Sequence, residues 1–552
     1  MPSNPLKLAT VVLLLLVTVS FATPLSHDDL NKRATSPYAP VSVQCPAISL
    51  VRPATSINAR ESNYVSSRKS QANTALASWL KKQGSFSISS LPVVGFSSSG
   101  GGYRALLETA GVVQGFDIRD SNVGTSGVYQ GLTYQAGLSG GSWFLSSLAG
   151  NNWPTVTSLK TGLWEQAFQN SLLVPANLLS TSGLTVYAQV TADIAAKQTA
   201  GYDTTIVDPY GRLLSYQLLY GTDGGVSVRL SGLTALSNFT SHNVPYPIIT
   251  TTTDFPDNGQ CYPPLDSPIF EFHPYEYGSW DSGVSAFANT KYMGTDMNKG
   301  KPVDTSNCTQ RYDNIGYIFG TSSDVFNSAC GTITPSNNTL DLPGVLEGIV
   351  VQTHPAAADD IFGIYPNPFY HYPRSTLVKA DKELTLSDGG ETLQNIPIWP
   401  FLQPERNVNV LIANDNSADT NDNFPNGTEI HQTYVRAQAV GLKKMPFIPD
   451  VSTFVAEGLN KRATFFGCNE TGTMFIVYLP NVNYTYPSNQ PTTKIQYSKE
   501  ETDGMIANGV EIATQNGATG WPFCLACAIK NADGAKLPKK CNACFQKYCY
   551  YK

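Results

Sequence analysis

Gly137-Leu138-Ser139-Gly140-Gly141 matches G-x-S-x-G and occurs once in the chain. Glycines on both sides of a serine let the backbone fold tightly beneath it, on a strained strand-to-helix turn that exposes the hydroxyl. That chemistry is nucleophilic acyl transfer, with the helix N-terminus near the serine favouring developing negative charge. A second element, Ser99-Gly100-Gly101-Gly102-Tyr103-Arg104, opens a helix with a glycine run, which offers bare backbone N–H groups to an oxyanion. The same run admits another reading. Gly100-x-Gly102-x-x-Ala105, with Asp117 or Asp120 downstream, fits a dinucleotide-binding fingerprint. That alternative leaves the serine turn without a purpose. Arg104, in the first helical turn, has the planar fork that holds a phosphate by paired hydrogen bonds. Asp388-Gly389-Gly390 is the third element, a carboxylate at a strand end.

A serine nucleophile needs a base. The six histidines are His27, His242, His273, His354, His371 and His431. In the order Ser…Asp…His only His431 follows Asp388, so a Ser139–Asp388–His431 triad is open, as is a version with Asp415 as the acid. A Ser139–Asp388 dyad is open on the same residues. The two differ in pH response. An aspartate base near its reference pKa of about 3.9 keeps working at mildly acidic pH, where a histidine near 6.5 is protonated.

Three strand–turn–helix passages must position these residues. Residues 93–96 read as a short buried strand before the glycine loop, and residues 103–110 as the helix after it. Residues 131–136 read as the strand before Ser139, and residues 142–149 as its helix, stopped by Gly150. Residues 384–387 form a strand ending at Asp388, and residues 408–413 a further strand. Strands alternating with helices argue for an α/β core, a central sheet with flanking helices. From about 155 to 345 that grammar fades into Tyr-, Pro-, Thr- and Ser-rich sequence, with the aromatic cluster Phe272-His273-Pro274-Tyr275-Glu276-Tyr277, and is read as an inserted cap or lid.

The 552 residues carry a net charge of −6, with 41% hydrophobic and 14% charged residues. Scattered basic residues and an acidic balance argue against a nucleic-acid partner and against strong attraction to anionic membranes. Lys7, an apolar run over 8–19 and the small residues Ser20 and Ala22 read as a secretory signal peptide, residues 1–22. Lys32-Arg33 would then close a pro-segment, 23–33. Six N-x-[ST] sequons, at Asn238, Asn307, Asn337, Asn426, Asn469 and Asn483, point to a glycosylated surface. The chain holds ten cysteines, and Cys524-x2-Cys527 with Cys541-x2-Cys544 has zinc-ligand spacing. For an exported chain disulfides are the expected reading, with no metal. No apolar tail follows Cys549, so no lipid-anchor signal is expected and the protein is placed outside the cell or in the wall space.

Together, Ser99-Gly100-Gly101-Gly102-Tyr103-Arg104-Ala105, Gly137-Leu138-Ser139-Gly140-Gly141-Ser142-Trp143 and Asp388-Gly389-Gly390-Glu391 resemble the fungal lysophospholipase/phospholipase B family, related to the catalytic domain of cytosolic phospholipase A2 and to patatins. Gln394-Asn395-Ile396-Pro397, Tyr275-Glu276-Tyr277-Gly278-Ser279-Trp280 and Ser417-Ala418-Asp419-Thr420 extend the resemblance, which runs from about Cys45 to the cysteine-rich end at 524–549. It implies a single catalytic domain over 45–549, built on a mixed sheet. It implies Ser139 as nucleophile and Asp388 as base without histidine, Gly101 and Gly102 as oxyanion donors, and Arg104 on the substrate phosphate. The implied activity is acyl-ester hydrolysis of lysophospholipids and phospholipids at a micelle or membrane surface, with transacylation when a lysophospholipid replaces water. No cofactor and no obligate protein partner are implied. Ser98 and Ser387 stand where the family usually has apolar residues. A neutral-lipid or simple-ester hydrolase, and an inactive lipid-binding wall protein, are the competing expectations.

Overall fold

The computed structural model describes residues 36–172, 181–256, 262–327, 361–532, 534 and 536–552. The signal peptide (1–22), the pro-segment (23–33) and the sequon at Asn337 lie outside the described residues. Twelve strands among the described residues form one sheet. In chain order they are β1 (Val51–Pro53), β2 (Val94–Ser98), β3 (Tyr134–Gly137), β4 (Tyr246–Thr253), β5 (Ile269–Phe272), β6 (Glu276–Ser279), β7 (Ala286–Asn289), β8 (Gly363–Pro366), β9 (Glu383–Ser387), β10 (Val410–Asp415), β11 (Thr464–Phe466) and β12 (Phe475–Pro480). The helices used below are α1 (Ala59–Gln83), α2 (Gly102–Phe116), α3 (Gly140–Gly150), α4 (Val207–Leu218), α5 (Ile315–Ser322), α6 (Thr428–Val440), α7 (Lys499–Thr514), α8 (Trp521–Asn531) and α9 (Cys541–Tyr548).

The sheet runs β11-β12-β10-β2-β3-β4-β5-β6-β7-β1, with β8 and β9 as a branch. Its centre, β12-β10-β2-β3-β4, is parallel. These strands are buried along their whole length, as sheets covered on both faces require, and β10 and β12 are accordingly near-continuous apolar runs. Antiparallel strands extend it on both sides, making it a mixed sheet with flanking helices. Residues 155–345 are therefore not an inserted cap as a whole, because β4 to β7 lie within that range and belong to the sheet. They escape the strand–helix grammar because antiparallel neighbours follow one another through turns, with no crossover helix between them.

Register places the site. Asn414, Ser98 and Gly137, at the carboxyl ends of β10, β2 and β3, stand abreast of Ile249 midway along β4. β3 occupies one edge of β4 only as far as Ile249. β9 then takes the same edge in the opposite direction, pairing Ser387 with Thr252 and Leu386 with Thr253. Both strands thus run toward one point on β4, and the chain leaves them at Ser139 and Asp388.

The cysteine-rich end is closed by disulfides, not zinc. Cys524–Cys544 and Cys527–Cys541 staple α8 to α9, and Cys468–Cys549 ties the chain end beside β11. Cys45–Cys308 spans 263 residues and joins the short antiparallel pair Val41–Val43 and Cys308–Gln310.

Candidate active site

Ser139 sits between β3 and α3 with φ 51° and ψ −123°, a region L-residues avoid. The glycines of the pentapeptide are what permit it. A Cβ on Gly140 would lie 2.1 Å from the Gly102 carbonyl oxygen and 2.8 Å from its nitrogen, so the two glycine motifs press directly on each other. The Ser139 N–H donates to both the carbonyl (3.1 Å) and the hydroxyl (3.0 Å) oxygen of Ser322. The Ser142 hydroxyl donates to the Ser139 carbonyl at 2.7 Å.

The glycine loop is clamped from two sides. The Gly100 N–H donates to the carbonyl (3.2 Å) and side-chain (3.1 Å) oxygens of Asn395, whose amide in turn donates to Ser417 Oγ at 2.7 Å. On the other side the Asn416 N–H donates to Ser99 Oγ at 2.6 Å. Gly101 (φ 135°) and Gly102 (φ 58°) hold backbone that a side chain strains, and they open α2. Among the described residues the N–H groups of Gly101, Gly102 and Gly140 meet no acceptor. Sequence reasoning did not name Gly140 as a donor. The signal was there, since the residue after an elbow serine supplies such an N–H in another hydrolase fold.

Asp388 ends β9. Its N–H donates to the Asp324 carbonyl at 3.0 Å, and its Oδ1 accepts the Gly390 N–H at 2.8 Å. Burial pushes its carboxyl up to about 6, while the Ser139 hydroxyl and the Gly390 N–H facing it pull it back down. The acid limb of an Asp388-dependent reaction therefore moves up from the reference aspartate range to about 6, close to where a histidine would put it. Two further carboxyls stand near it. Burial, then the Asp388 and Asp324 charges, carry Glu391 up to about 10, and burial raises Asp324 far above its usual range. Glu391 is therefore neutral at pH 7, and Asp388 is the carboxyl of this group that faces the serine.

His431 does not reach this centre. It lies on α6, where its Nδ1 engages the Ile448 carbonyl at 3.3 Å. Asp415 is also committed elsewhere. It accepts from the Ser417 hydroxyl at 2.6 Å and the Tyr478 hydroxyl at 2.7 Å. Among the described histidines none hydrogen-bonds Ser139 or Asp388.

Arg104 is 1% exposed. Its Nε donates to the Asn416 carbonyl (2.9 Å) and its Nη1 to the Gln490 carbonyl (2.6 Å). Nη2 has no protein partner and lies against Gly101, where a Cβ would stand 2.5 Å from it. Burial lowers the guanidinium to about 10, so it stays charged at neutral pH. It thus braces the loop with two N–H groups and keeps one nitrogen beside Gly101. Ser98 Oγ reaches the Ala136 carbonyl at 3.3 Å, whereas Ser387 Oγ is buried without a partner.

Among the described residues, Glu61, His273 and Glu276 have metal-ligand spacing, between α1 and the β5–β6 turn. Glu61 is already paired with Arg406 and Glu276 with Arg52, so the local charge is largely met by side chains. Of the sequons, Asn307, Asn469 and Asn483 are exposed, while Asn238 and Asn426 are half-buried. The Asn238 amide donates to the Asn152 carbonyl at 2.8 Å. No helix among the described residues is long and apolar enough to cross a membrane.

The lysophospholipase catalytic domain family model matches residues 94–552. Lysophospholipase 2 of Aspergillus fumigatus is 37% identical over 553 residues, covering 93% of each chain. Lysophospholipase 1 of Candida albicans is 37% identical over 560 residues, covering 94% of this chain and 90% of its own. Among solved structures, human GIVD cytosolic phospholipase A2 is similar in fold, with a TM-score of 0.66 at 18% identity, covering 89% of this chain and 72% of that one. A family match over the serine turn, the Asp388 strand and the cysteine-rich end, with relatives at this identity over nearly the whole chain, makes this protein a lipid ester hydrolase of the lysophospholipase family.

Proposed function

We propose that the protein hydrolyses the acyl esters of lysophospholipids, and of diacyl phospholipids, through a Ser139–Asp388 dyad. The observation that carries this is the meeting of β3 and β9 on one edge of β4, which brings Asp388 to a serine held at φ 51°. Asp388 accepts the Ser139 hydroxyl proton as Oγ attacks the acyl carbonyl. The tetrahedral oxyanion is held by the N–H groups of Gly101, Gly102 and Gly140, each such donor being worth about 3 kcal/mol in acyl transfer. Asp388 returns the proton to the departing glycerol oxygen, which breaks the ester and leaves an acyl-enzyme. Water then gives up a proton to Asp388 and attacks the acyl carbon, releasing fatty acid and restoring the Ser139 hydroxyl. A second lysophospholipid in place of water yields a diacyl product, which is the transacylase branch.

Arg104 Nη2, charged and without a protein partner, is the group that engages the substrate phosphate in this reading. Secretion rests on the signal-like N-terminal sequence together with four disulfides. Glycans at Asn307, Asn469 and Asn483 fit the exposure of those side chains. The test is fatty-acid release from lysophosphatidylcholine by the purified protein. Wild type releases fatty acid, Ser139→Ala and Asp388→Asn do not, and His431→Ala does. Release by Ser139→Ala at the wild-type rate would end the reading, and a dead His431→Ala would replace the dyad by a triad.

A further inference from the structure

Helix α5 ends at Ser322 and is followed directly by Ser323 and Asp324, three polar residues that are all buried. Ser322 and Asp324 touch Ser139 and Asp388, whereas Ser323 touches neighbouring helices. The Ser322 hydroxyl donates to the Thr250 carbonyl on β4 (2.8 Å) and accepts the Ser139 N–H (3.0 Å). Ser323 Oγ accepts the indole N–H of Trp143, in the first turn of α3, at 2.9 Å, and stands 3.2 Å from the Tyr210 hydroxyl on α4. The Asp324 carbonyl accepts the Asp388 N–H at 3.0 Å.

The anchor point matters. Thr250 lies between Ile249, where β3 stops pairing with β4, and Thr252, where β9 begins. Ser322 is therefore tied to the stretch of β4 at which both strands deliver their residues. A backbone in a sparsely populated conformation persists only where its surroundings over-determine it. At Ser139 that surrounding is the paired acceptance of its N–H by the two oxygens of Ser322.

We propose that Ser322 is a positioning residue of the reaction, its hydroxyl fixing the Ser139 turn against β4 while the same chain end, through Asp324, fixes Asp388. The role rests on the reading that Ser139 and Asp388 carry the chemistry. Without the hydroxyl, the Ser139 N–H keeps one acceptor, and the serine–aspartate geometry loosens without unfolding the protein.

Two hydroxyl deletions one residue apart test this, because both remove a buried hydrogen bond and only one touches the nucleophile. kcat and KM on lysophosphatidylcholine, the rate of inactivation by an alkyl fluorophosphonate, and Tm are measured for wild type, Ser322→Ala, Ser323→Ala and Ser139→Ala. Ser322→Ala is expected to lower kcat about 10- to 100-fold with KM within about twofold, since a displacement near 1 Å in a reacting pair costs on the order of 10²-fold. Fluorophosphonate inactivation slows by the same factor, because it uses the same nucleophile without phospholipid. Ser323→Ala is expected to stay within about threefold of wild-type kcat at a similar Tm. Wild-type kcat in Ser322→Ala, or equal losses in both variants, overturns the proposal. If Ser322→Ala does not fold, Ser322→Cys, similar in size and a weak acceptor, takes its place under the same criteria. A Ser139→Ala protein as active as wild type would instead refute the dyad reading, so the two failures are distinct.

Discussion

Asp388→Asn should destroy activity and at the same time stabilise the protein, in a pH-dependent way. A carboxyl carried from 3.8 to about 6 by burial costs the folded state about 3 kcal/mol once it is ionised. The sign follows from where each state releases its proton. The unfolded chain ionises near 3.8, whereas the folded chain holds the proton up to about 6. Between those values the unfolded state binds fewer protons, so wild-type stability falls as pH rises through the window and stays lowered above it. The asparagine variant has no such group, and its amide oxygen can still accept the Gly390 N–H. It is therefore expected to exceed wild type by about 2–3 kcal/mol at pH 8 and to match it at pH 4. For a chain of this length, at ~2 cal/mol/K per residue, that is about 2–3 °C in Tm. Scanning calorimetry of both proteins at pH 4, 6 and 8, at one scan rate, reads the difference. The wild-type kcat/KM profile should show its acid limb with a midpoint near 6, from the same ionisation in the free enzyme. An Asp388→Asn protein no more stable than wild type at pH 8, or equally favoured at pH 4, would refute burial as the cause.

His431→Ala should keep kcat/KM within about twofold of wild type from pH 5 to 8, because its ring engages Ile448 and not the dyad; a loss near 10³–10⁴-fold would mark it as the base. The pH profile alone no longer separates the two mechanisms, so this variant has to. Gly100→Ala would set a Cβ 2.3 Å from Asn395 Oδ1 and 2.8 Å from the Ser139 Cβ, so kcat should fall by about 10²-fold at unchanged circular dichroism. Arg104→Ala should lose at least about tenfold more activity on lysophosphatidylcholine than on a simple aryl ester if Nη2 meets phosphate; equal losses would leave only the loop-bracing contacts to Asn416 and Gln490. Replacing Cys45 and Cys308 together by serine opens a closure of 263 residues and should cost about 2–5 kcal/mol in denaturant unfolding, with kcat little changed in the folded fraction.

The local sequence determined the serine turn, the glycine loop, the strands that feed them and the disulfide character of the cysteine-rich end. Each of these is written in residues close together in the chain, where glycine placement, apolar runs and cysteine spacing act through short-range sterics and covalent chemistry. The elements recovered within a few residues, such as β2, β3, β9 and β10, are of this kind. Tertiary structure alone decided what lies between. Residues 246–289, which looked like cap sequence, supply β4 to β7, because antiparallel strands can be polar and proline-rich and still complete a buried sheet. Asn395, Asn416 and Ser322 became part of the site only through contacts across the fold. The base, too, was undecided on the residues themselves, with Asp388 and His431 both available. Pairing of β9 onto the free edge of β4 set Asp388 facing the serine, left His431 on α6, and raised the carboxyl by burying it. Strand pairing and desolvation are non-local quantities, fixed by which surfaces meet, and no reading of neighbours along the chain contains them.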